Sequence, residues 1–550
     1  MKTTTIKLAA ITLLIGCTGC NDILDKGPRD KFSENDIWGS SELAQAFLYP
    51  TLNDATDKLI SYDHWSDNDI IQDIPGTSNV NKEQIDNYYD AGWNQNVYSQ
   101  IRKCNLMLQK MEENTSFIEQ DRKYLTAQAK ALRGIIYYTR ARLFGKLMIV
   151  DKVIGENDNM ELPRTNTIKE TYDFILNDLK ESIADLPVTH GSQQGILTQG
   201  AVYALIAEIA LQGAAYIENG QEEYYSIAKK ASEDLFSLNQ YELDANYEKM
   251  FNEFDYAMGS KEIILADQRL ESVFGLGVIG QMYNNDDAGW SSIVPTQNLV
   301  DMYEMDNGLT KEEATGYYDA KHPFANRDPR MDMTILYPGQ EWRGKILNTL
   351  DEKLADGSKN KNFPTYTDNA SKTALTWAKY LDPYEQYSNI WNTAACVIIF
   401  RYAEVLLSWA EAENELNGPS DQVYNYIDQI RERVGMPKVV RTKYDTQDKL
   451  RELIRRERCV EFAGEGLRRA DILRWKDAGG KMLAETLMSG DLKRITGAIN
   501  YSETDPYKRA EVTGTATIET RKFAPKNRYL PFSQTDVLDK NPNIKQNPGY

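Results

Sequence analysis

The sequence has few of the residues that carry metal and redox chemistry. It contains three histidines and five cysteines in 550 residues. None of the histidines, His64, His190 and His322, is part of a His-x-Glu, paired-His or Cys-x-x-Cys spacing. A complete Gly-x-x-x-x-Gly-Lys-Ser/Thr phosphate loop is also absent. We therefore predict no metal site, no cofactor and no nucleophilic triad.

Basic residues and long apolar runs are also scarce. The 63 basic residues are outnumbered by 82 acidic ones, which gives a net charge of −19, and a field of that sign disfavours nucleic acid and anionic lipid. Beyond residue 25 no apolar run approaches the ~20 residues of a membrane helix. Cys104, Cys396 and Cys459 lie in apolar helical patterns. We expect them to be buried free thiols rather than a disulfide framework.

The pattern of the first 25 residues predicts an export signal with a lipid attachment point. Lys2 and Lys7 precede a short apolar run at 8–16, and Leu14-Ile15-Gly16-Cys17 has the form of a bacterial lipoprotein signal. Cys17 fits this form better, because Leu14 lies three residues before it, and Cys20 remains the alternative acylation site. Loss of the signal with its two lysines leaves the exported chain at −21. The sequence therefore predicts that the rest of the chain is attached to the membrane only through the acyl chains on this cysteine.

Much of the chain follows a helical period, and the helical runs come in pairs joined by short turns. A length of 550 residues with 41% hydrophobic content predicts two or more packed regions. Ala207, Ala210 and Ala214 lie on one helical face, which predicts close packing against a helix at 224–235. The predicted fold class is therefore mostly α, a tetratricopeptide-like helical-hairpin scaffold. The helices are predicted at 93–111, 121–144, 172–186 and 199–216.

The pattern changes at 251–392, where Gly, Asn, Asp, Pro and aromatic residues crowd together. Long loops inside a globular chain are usually functional or disordered, and the many Trp and Tyr residues argue against disorder. We therefore predict a large irregular loop-rich insert that carries a binding surface. Helix returns at 401–415, 424–434 and 450–463.

Several ordered motifs are similar to those of the SusD/RagB family of Bacteroidetes surface lipoproteins. They are, in chain order, Cys-x-x-Ile-Leu-Asp from Cys20, Arg-Tyr-Ala-Glu-Val-Leu-Leu at 401–407 with Ala-Glu-Ala at 410–412, Ile-Arg-x-Arg-x-Gly-x-Pro at 430–437, Glu-Arg-x-x-Glu-Phe at 457–462, and Asn-Pro-x-x-x-Gln-Asn-Pro-Gly-Tyr at 541–550. The resemblance covers nearly the whole chain.

The resemblance implies an outer-membrane binding protein that is not an enzyme and that passes its ligand to a SusC-type TonB-dependent transporter. It also implies a division into a signal and acylation site at 1–20, an amino-terminal helical region at 21–250, a ligand-facing insert at 251–392 and a carboxyl-terminal helical region with its tail at 393–550. The leading hypothesis is that the ligand is an oligosaccharide. A peptide, as in RagB-type members, is the alternative.

The loops supply the aromatic residues that a sugar site needs. A pyranose has an apolar C–H face that stacks on an aromatic ring, and nearby polar groups bind its hydroxyls. We predict Trp65 and Trp290 as stacking residues, with Asn285 and Asp287 as polar contacts. Trp342, Trp377 and Trp391 are weaker candidates, and Trp93 and Trp409 lie on helical faces typical of the core.

Glu457 and Glu461 are four residues apart on a predicted helix and could serve as a glycosidase acid/base pair, the third functional alternative. We expect them instead to form a structural ion-pair network. The predicted partners are the arginines that are close in sequence, namely Arg455, Arg456, Arg458, Arg468, Arg469 and Arg474.

Overall fold

The computed structural model describes residues 34–60, 65–72, 86, 97–114, 116–191, 194–273, 275, 277–365 and 369–550. Cys17, Cys20 and Trp93 lie outside the described residues. No helix within the described ranges is long and apolar enough to cross a membrane. Cys104, Cys396 and Cys459 are free and buried, which confirms the prediction of buried thiols. The predicted helical setting is wrong for Cys396, which lies in a β-strand.

The amino-terminal half is built from helices that pack against their neighbours in the chain. The helices are α1 Glu34–Ile37, α2 Ser41–Ile60, α3 Val97–Glu113, α4 Glu119–Phe144, α5 Ile168–Ser182, α6 Gln199–Tyr216 and α7 Gln221–Ser237. The pairs α3–α4, α4–α5, α5–α6 and α6–α7 are all in contact, so the predicted helical-hairpin scaffold is confirmed.

The α6–α7 hairpin shows why this region packs closely. Thr198 caps α6 by accepting a hydrogen bond from the backbone N–H of Ala201. Gly213 faces the Tyr224 ring so closely that a Cβ atom would lie 2.3 Å from it. Small residues on α6 therefore meet larger ones on α7. The buried residues of this contact are Ala207, Ala210 and Ala214 on α6, and Tyr224, Ala228, Ala231 and Leu235 on α7.

The middle of the chain consists of short elements separated by turns. Its helices are α8 Tyr247–Asn252, α9 Phe254–Gly259, α10 Gln297–Met302 and α11 Arg330–Thr334. The described strands form antiparallel pairs: β1 Asp69–Ile71 with β3 Ile293–Pro295, β2 Ile263–Gln268 with β8 Cys396–Arg401, β4 Ile335–Leu336 with β7 Thr376–Trp377, β5 Glu341–Trp342 with β6 Lys345–Ile346, and β9 Gly490–Ile499 with β10 Ala510–Arg521.

The carboxyl-terminal helices begin directly after β8. They are α12 Tyr402–Asn417, α13 Asp421–Arg433, α14 Gln447–Glu461, α15 Arg468–Arg474 and α16 Leu483–Leu487. Helix α12 ends at Gly418, whose φ of 77° suits glycine. The polar residues along one side of α12 are largely buried, since Glu404, Ser408 and Glu411 are each at most 4% exposed. Helix α12 therefore lies between packed elements rather than at the surface.

The carboxyl-terminal tail packs back onto the amino-terminal helices. Phe532 stacks on Phe144 with ring centroids 5.1 Å apart. The side-chain amide of Asn547 donates to the carbonyl oxygens of Phe144 at 3.2 Å and Leu530 at 2.8 Å. The two ends of the described chain therefore share one apolar core.

Glu457 and Glu461 take part in a buried ion-pair network, but the partners predicted from sequence proximity are wrong. Glu457 contacts Arg330 and Arg431, and Glu461 contacts Arg330, Arg401 and Arg433. All six side chains are at most 4% exposed. The predicted partners that are buried bind elsewhere. Arg458 and Arg474 pair with Asp471, and Arg468 pairs with Asp67.

Candidate ligand-binding site

Trp290 is an exposed aromatic residue on a loop whose two ends are joined by backbone hydrogen bonds. The N–H of Ser291 donates to the carbonyl of Tyr283, and the N–H of Gly289 donates to that of Asn284, both at 2.9 Å. The Trp290 side chain remains 47% exposed at the edge of this loop. The loop 283–291 therefore holds a large apolar ring at the surface.

A second tryptophan supports the first. The ring centroids of Trp290 and Trp391 are 4.5 Å apart, with an angle of 58° between the planes. Gly280 makes room for Trp391, because a Cβ atom at position 280 would lie 2.3 Å from the Trp391 ring. Since aromatic pairs at this separation attract each other, Trp391 fixes the position of Trp290.

The tip of the same loop lines a small polar cleft of about 80 Å³. This volume is well below the roughly 300 Å³ at which a typical ligand pocket begins, so the cleft holds a substituent rather than a whole sugar chain. A larger ligand would have to extend over the surrounding surface. The lining residues are Asn284, Asp286, Asp287, Trp342, Arg343, Lys345, Leu347 and Glu385.

Asp287 joins the loop to the β5–β6 hairpin. Its carboxylate accepts a hydrogen bond from the indole N–H of Trp342 at 2.7 Å and lies 3.4 Å from Arg343. Burial raises the pKa of Asp287, and the contacts with Trp342 and Arg343 oppose that rise. The carboxylate is therefore engaged within the protein. A direct ligand contact by Asp287 remains a prediction.

The β5–β6 hairpin contains the spacing Gly-x-x-x-x-Gly-Lys at 339–345, which Ile346 follows instead of Ser or Thr. A phosphate loop of this type precedes a helix, whereas here the segment turns between two antiparallel strands at Arg343 and Gly344. Both residues have a positive φ, 48° and 73°. The segment is a tight hairpin and not a nucleotide site.

Asn285 is held by a neighbouring segment on the other side of the loop. Its backbone N–H donates to the side chain of Asn362, and its side-chain amide donates to the carbonyl of Lys361, both at 3.1 Å. Asn362 also donates to Asp286 at 2.6 Å. These bonds fix the loop, and a ligand contact by Asn285 remains a prediction.

Trp65 lies at a different place from Trp290. The ladder of β1 and β3 is antiparallel, so Trp65, before β1, and Trp290, before β3, lie beyond its opposite ends. The Trp65 ring is partly buried against the helical core, and the Arg469 guanidinium lies 5.4 Å from its centroid. Arg469 also binds the Trp65 carbonyl oxygen at 2.8 Å. The structure brings Asn285, Asp287 and Trp290 together, and Trp65 does not join them.

The other tryptophans divide between core and site. Trp342 and Trp377 are 9% and 1% exposed, and Trp409 is 7% exposed, which confirms the prediction that Trp409 is a core residue. Trp391 is the partner of Trp290. Asn284, Lys345 and Glu385 line the cleft but could not be predicted as site residues, because no spacing in the sequence distinguishes them from neighbouring polar residues. Among the described residues, no group of three or more His, Cys, Asp or Glu side chains could hold a metal ion.

Family models match most of the chain. The model described as the SusD family matches residues 239–550, and a second, described as starch-binding associating with outer membrane, matches residues 42–211. The SusD-like protein P25 of Formosa agariphila is 25% identical over 514 residues, 84% of this chain and 88% of the relative. The starch-binding protein SusD of Bacteroides thetaiotaomicron is 25% identical over 433 residues, 70% and 72% of the two chains.

Solved structures share the fold. A SusD-like protein from Bacteroides fragilis has a TM-score of 0.75 at 25% identity, covering 96% of this chain and all of the other. A SusD-like carbohydrate-binding protein from the same species has a TM-score of 0.76 at 23% identity, covering 92% of this chain and all of the other. Since one family model spans more than half of the sequence, the chain belongs to the SusD family.

Proposed function

We propose that this protein is a non-catalytic cell-surface lipoprotein that captures an oligosaccharide and passes it to a SusC-type TonB-dependent transporter. The observation that carries the proposal is the exposed Trp290 ring, supported by Trp391, on a loop whose tip lines a polar cleft in a chain of the SusD family. An apolar stacking face beside a few placed polar groups is the arrangement that sugar recognition uses.

Two further points support a binding role. The names of several relatives and structural neighbours describe them as binding starch, carbohydrate or laminarin. The carboxylate pair that a glycosidase would need, Glu457 and Glu461, is 1% and 0% exposed and is neutralised by arginines. A glycosidic bond cannot reach two carboxylates in that position.

The proposed place of ligand capture is the surface of the outer membrane. The family description of residues 42–211 includes association with the outer membrane, and the signal at 1–20 offers Cys17 or Cys20 for acylation. Two or more acyl chains hold a protein stably at a membrane, since each buried CH₂ contributes about 0.8 kcal/mol. A tethered binding protein can then deliver its ligand to a transporter in the same membrane.

Trp290→Ala is expected to weaken glycan binding by about 1 to 3 kcal/mol, the range measured when a base loses its stacking ring, which is the nearest comparable contact. The fold should survive, because the Trp290 side chain is half exposed. Calorimetric titration against a panel of soluble polysaccharides, with a thermal melt of each variant, measures both effects.

The matched control is Tyr49→Ala, which removes a ring of similar exposure, 49%, from helix α2. We expect this variant to bind as the unchanged protein does. Equal affinity of Trp290→Ala and the unchanged protein would contradict the proposed site. Retention of basic peptides without glycan retention would favour the peptide alternative, and release of shortened glycans would favour a glycosidase.

Simultaneous replacement of Cys17 and Cys20 by alanine is expected to release the protein from the membrane. The physical reason is the loss of every acyl chain from a body with a mean hydropathy of −0.56. Fractionation of cells followed by immunoblotting measures the distribution, with each single replacement as a control that identifies the acylated residue. A double variant that stays with the outer membrane after a salt wash would disprove the tether.

A further inference from the structure

The side-chain amide nitrogen of Asn284 has no hydrogen-bond partner in the described part of the chain. Asn284 is 3% exposed and lines the polar cleft. Its Oδ1 accepts from the backbone N–H of Asp287 at 3.1 Å, and this contact fixes which end of the amide is oxygen. The two N–H groups of Nδ2 therefore remain available to an acceptor on a ligand in the cleft.

Two charged groups at the cleft are also without protein partners in the described structure. Lys345 follows the hairpin turn, and Glu385 lies on another loop; both are exposed, and neither side chain makes a hydrogen bond or an ion pair with the described residues. The remaining polar residues are engaged, since Trp342 and Arg343 bind Asp287 and Asp286 accepts from Asn362. The cleft thus offers free donors and a free acceptor side by side.

The balance of charge indicates what kind of group would fit. Asp286, Asp287 and Glu385 outnumber Arg343 and Lys345 at the cleft, so an anionic substituent would meet a net negative charge. A neutral group that both accepts and donates a hydrogen bond avoids that repulsion. Trp342 and Leu347 add apolar lining, so the group can also carry a methyl.

We propose that this cleft is a subsite for the acetamido group of a 2-acetamido sugar, an inference that rests on the proposed glycan-binding function. The acetamido carbonyl accepts from Nδ2 of Asn284, and its N–H donates to the carboxylate of Asp286 or Glu385. Its methyl lies against Trp342 and Leu347. The sugar ring itself stays outside the cleft, on the side of the Trp290 and Trp391 rings, because about 80 Å³ has room for the substituent only.

The test compares sugars that differ only in this substituent. The probes are the methyl glycosides of N-acetylglucosamine and N-acetylgalactosamine against those of glucose and galactose, measured by saturation-transfer NMR. Chitotetraose and cellotetraose, which share one linkage, are titrated by calorimetry. We expect the acetamido member of at least one monosaccharide pair, and chitotetraose, to bind about tenfold more tightly than its hydroxyl counterpart, as one additional hydrogen bond implies.

Asn284→Asp locates the effect. The new carboxylate still accepts from the N–H of Asp287 but cannot donate, so we expect about tenfold weaker binding of the acetamido sugar and little change for the hydroxyl sugar. Asn425→Asp is the control, because it makes the same chemical change on helix α13, where Oδ1 accepts from Arg441. A thermal melt shows whether each variant is folded.

The outcomes separate this inference from the proposed function. Glycan binding through Trp290 without any acetamido preference overturns the subsite and leaves the proposed function intact. Binding of no glycan overturns both. The comparison of sugars uses the unchanged protein, so it decides the question even if Asn284→Asp does not fold.

Discussion

Glu461→Gln is expected to lower the free energy of unfolding by about 3 to 5 kcal/mol, the cost of breaking a buried ion pair by removing one partner. The Glu461 side chain is 0% exposed and lies 2.7 Å from Arg401 and 3.0 Å from Arg330. Burial alone would raise the pKa of Glu461, but the charges of Arg433, Arg401 and Arg330 hold it well below its usual range. The neutral amide would leave these guanidinium groups buried with too little negative charge.

Chemical denaturation of the two proteins at neutral pH measures this loss. The matched control is Asp421→Asn, which removes one partner of an exposed pair with Arg441, the two side chains being 84% and 48% exposed. The control should cost between about 0 and 1 kcal/mol. Glycan affinity of Glu461→Gln is expected to be unchanged, because the network is buried. Loss of glycan binding with unaltered stability would show instead that this cluster is a site.

Glu411→Gln is expected to remove about 3 kcal/mol of stability at pH 7 and nearly none near pH 2. Burial alone would raise the pKa of Glu411, but the charge of Arg474, its hydrogen bonds and the charge of Arg458 lower it to about 2. The ordinary glutamate value is 4.5. The difference between the ordinary value of 4.5 and the lowered value of about 2, converted at about 1.36 kcal/mol per pKa unit, gives this loss of stability.

The sign of the pH dependence follows from the depressed pKa. The folded state binds the proton of Glu411 less readily than the unfolded state, so the stabilisation is complete above about pH 4.5 and is lost as the pH falls through about 2. Unfolding curves at several pH values should therefore converge for the two proteins in acid. Asp445→Asn, which neutralises an exposed carboxylate paired with Lys449, should leave the curves nearly unchanged. A constant difference at all pH values would contradict the assignment.

The helices could be predicted because their signals are local. The apolar spacing at 199–216 and the caps at its ends operate within a few residues, and the structure has α6 at Gln199–Tyr216. Gly418 ends α12 for a similarly local reason, its positive φ. The ordered motifs likewise identified the family from sequence.

The partners of the buried charges could not be predicted from the sequence. Arg330 lies 127 residues from Glu457 and 131 from Glu461, and nothing in either segment specifies the other. Arg458 is close to both glutamates in sequence, yet its guanidinium binds Asp471. A side chain on a helix points in one direction, so sequence proximity does not determine which remote segment it meets.

Part of the candidate site could likewise be predicted from the sequence, and part could not. The run of Asn and Asp residues before Trp290 marked the loop as polar and aromatic, and the structure does place Trp290 at the surface. Sequence could not show that Trp391, 101 positions later, supports this ring. It also could not show that Trp65 lies beyond the far end of the β1–β3 ladder.

The sequence by itself determined the family, the mostly helical scaffold and the burial of the three thiols, because periodicity, caps and ordered motifs act over short stretches of chain. Only the tertiary structure decided the partners of Glu457 and Glu461, the pairing of Trp290 with Trp391 and the position of Asn284 in its cleft. These features depend on which remote segments pack together, and close packing of the whole core, rather than any local preference, sets those contacts.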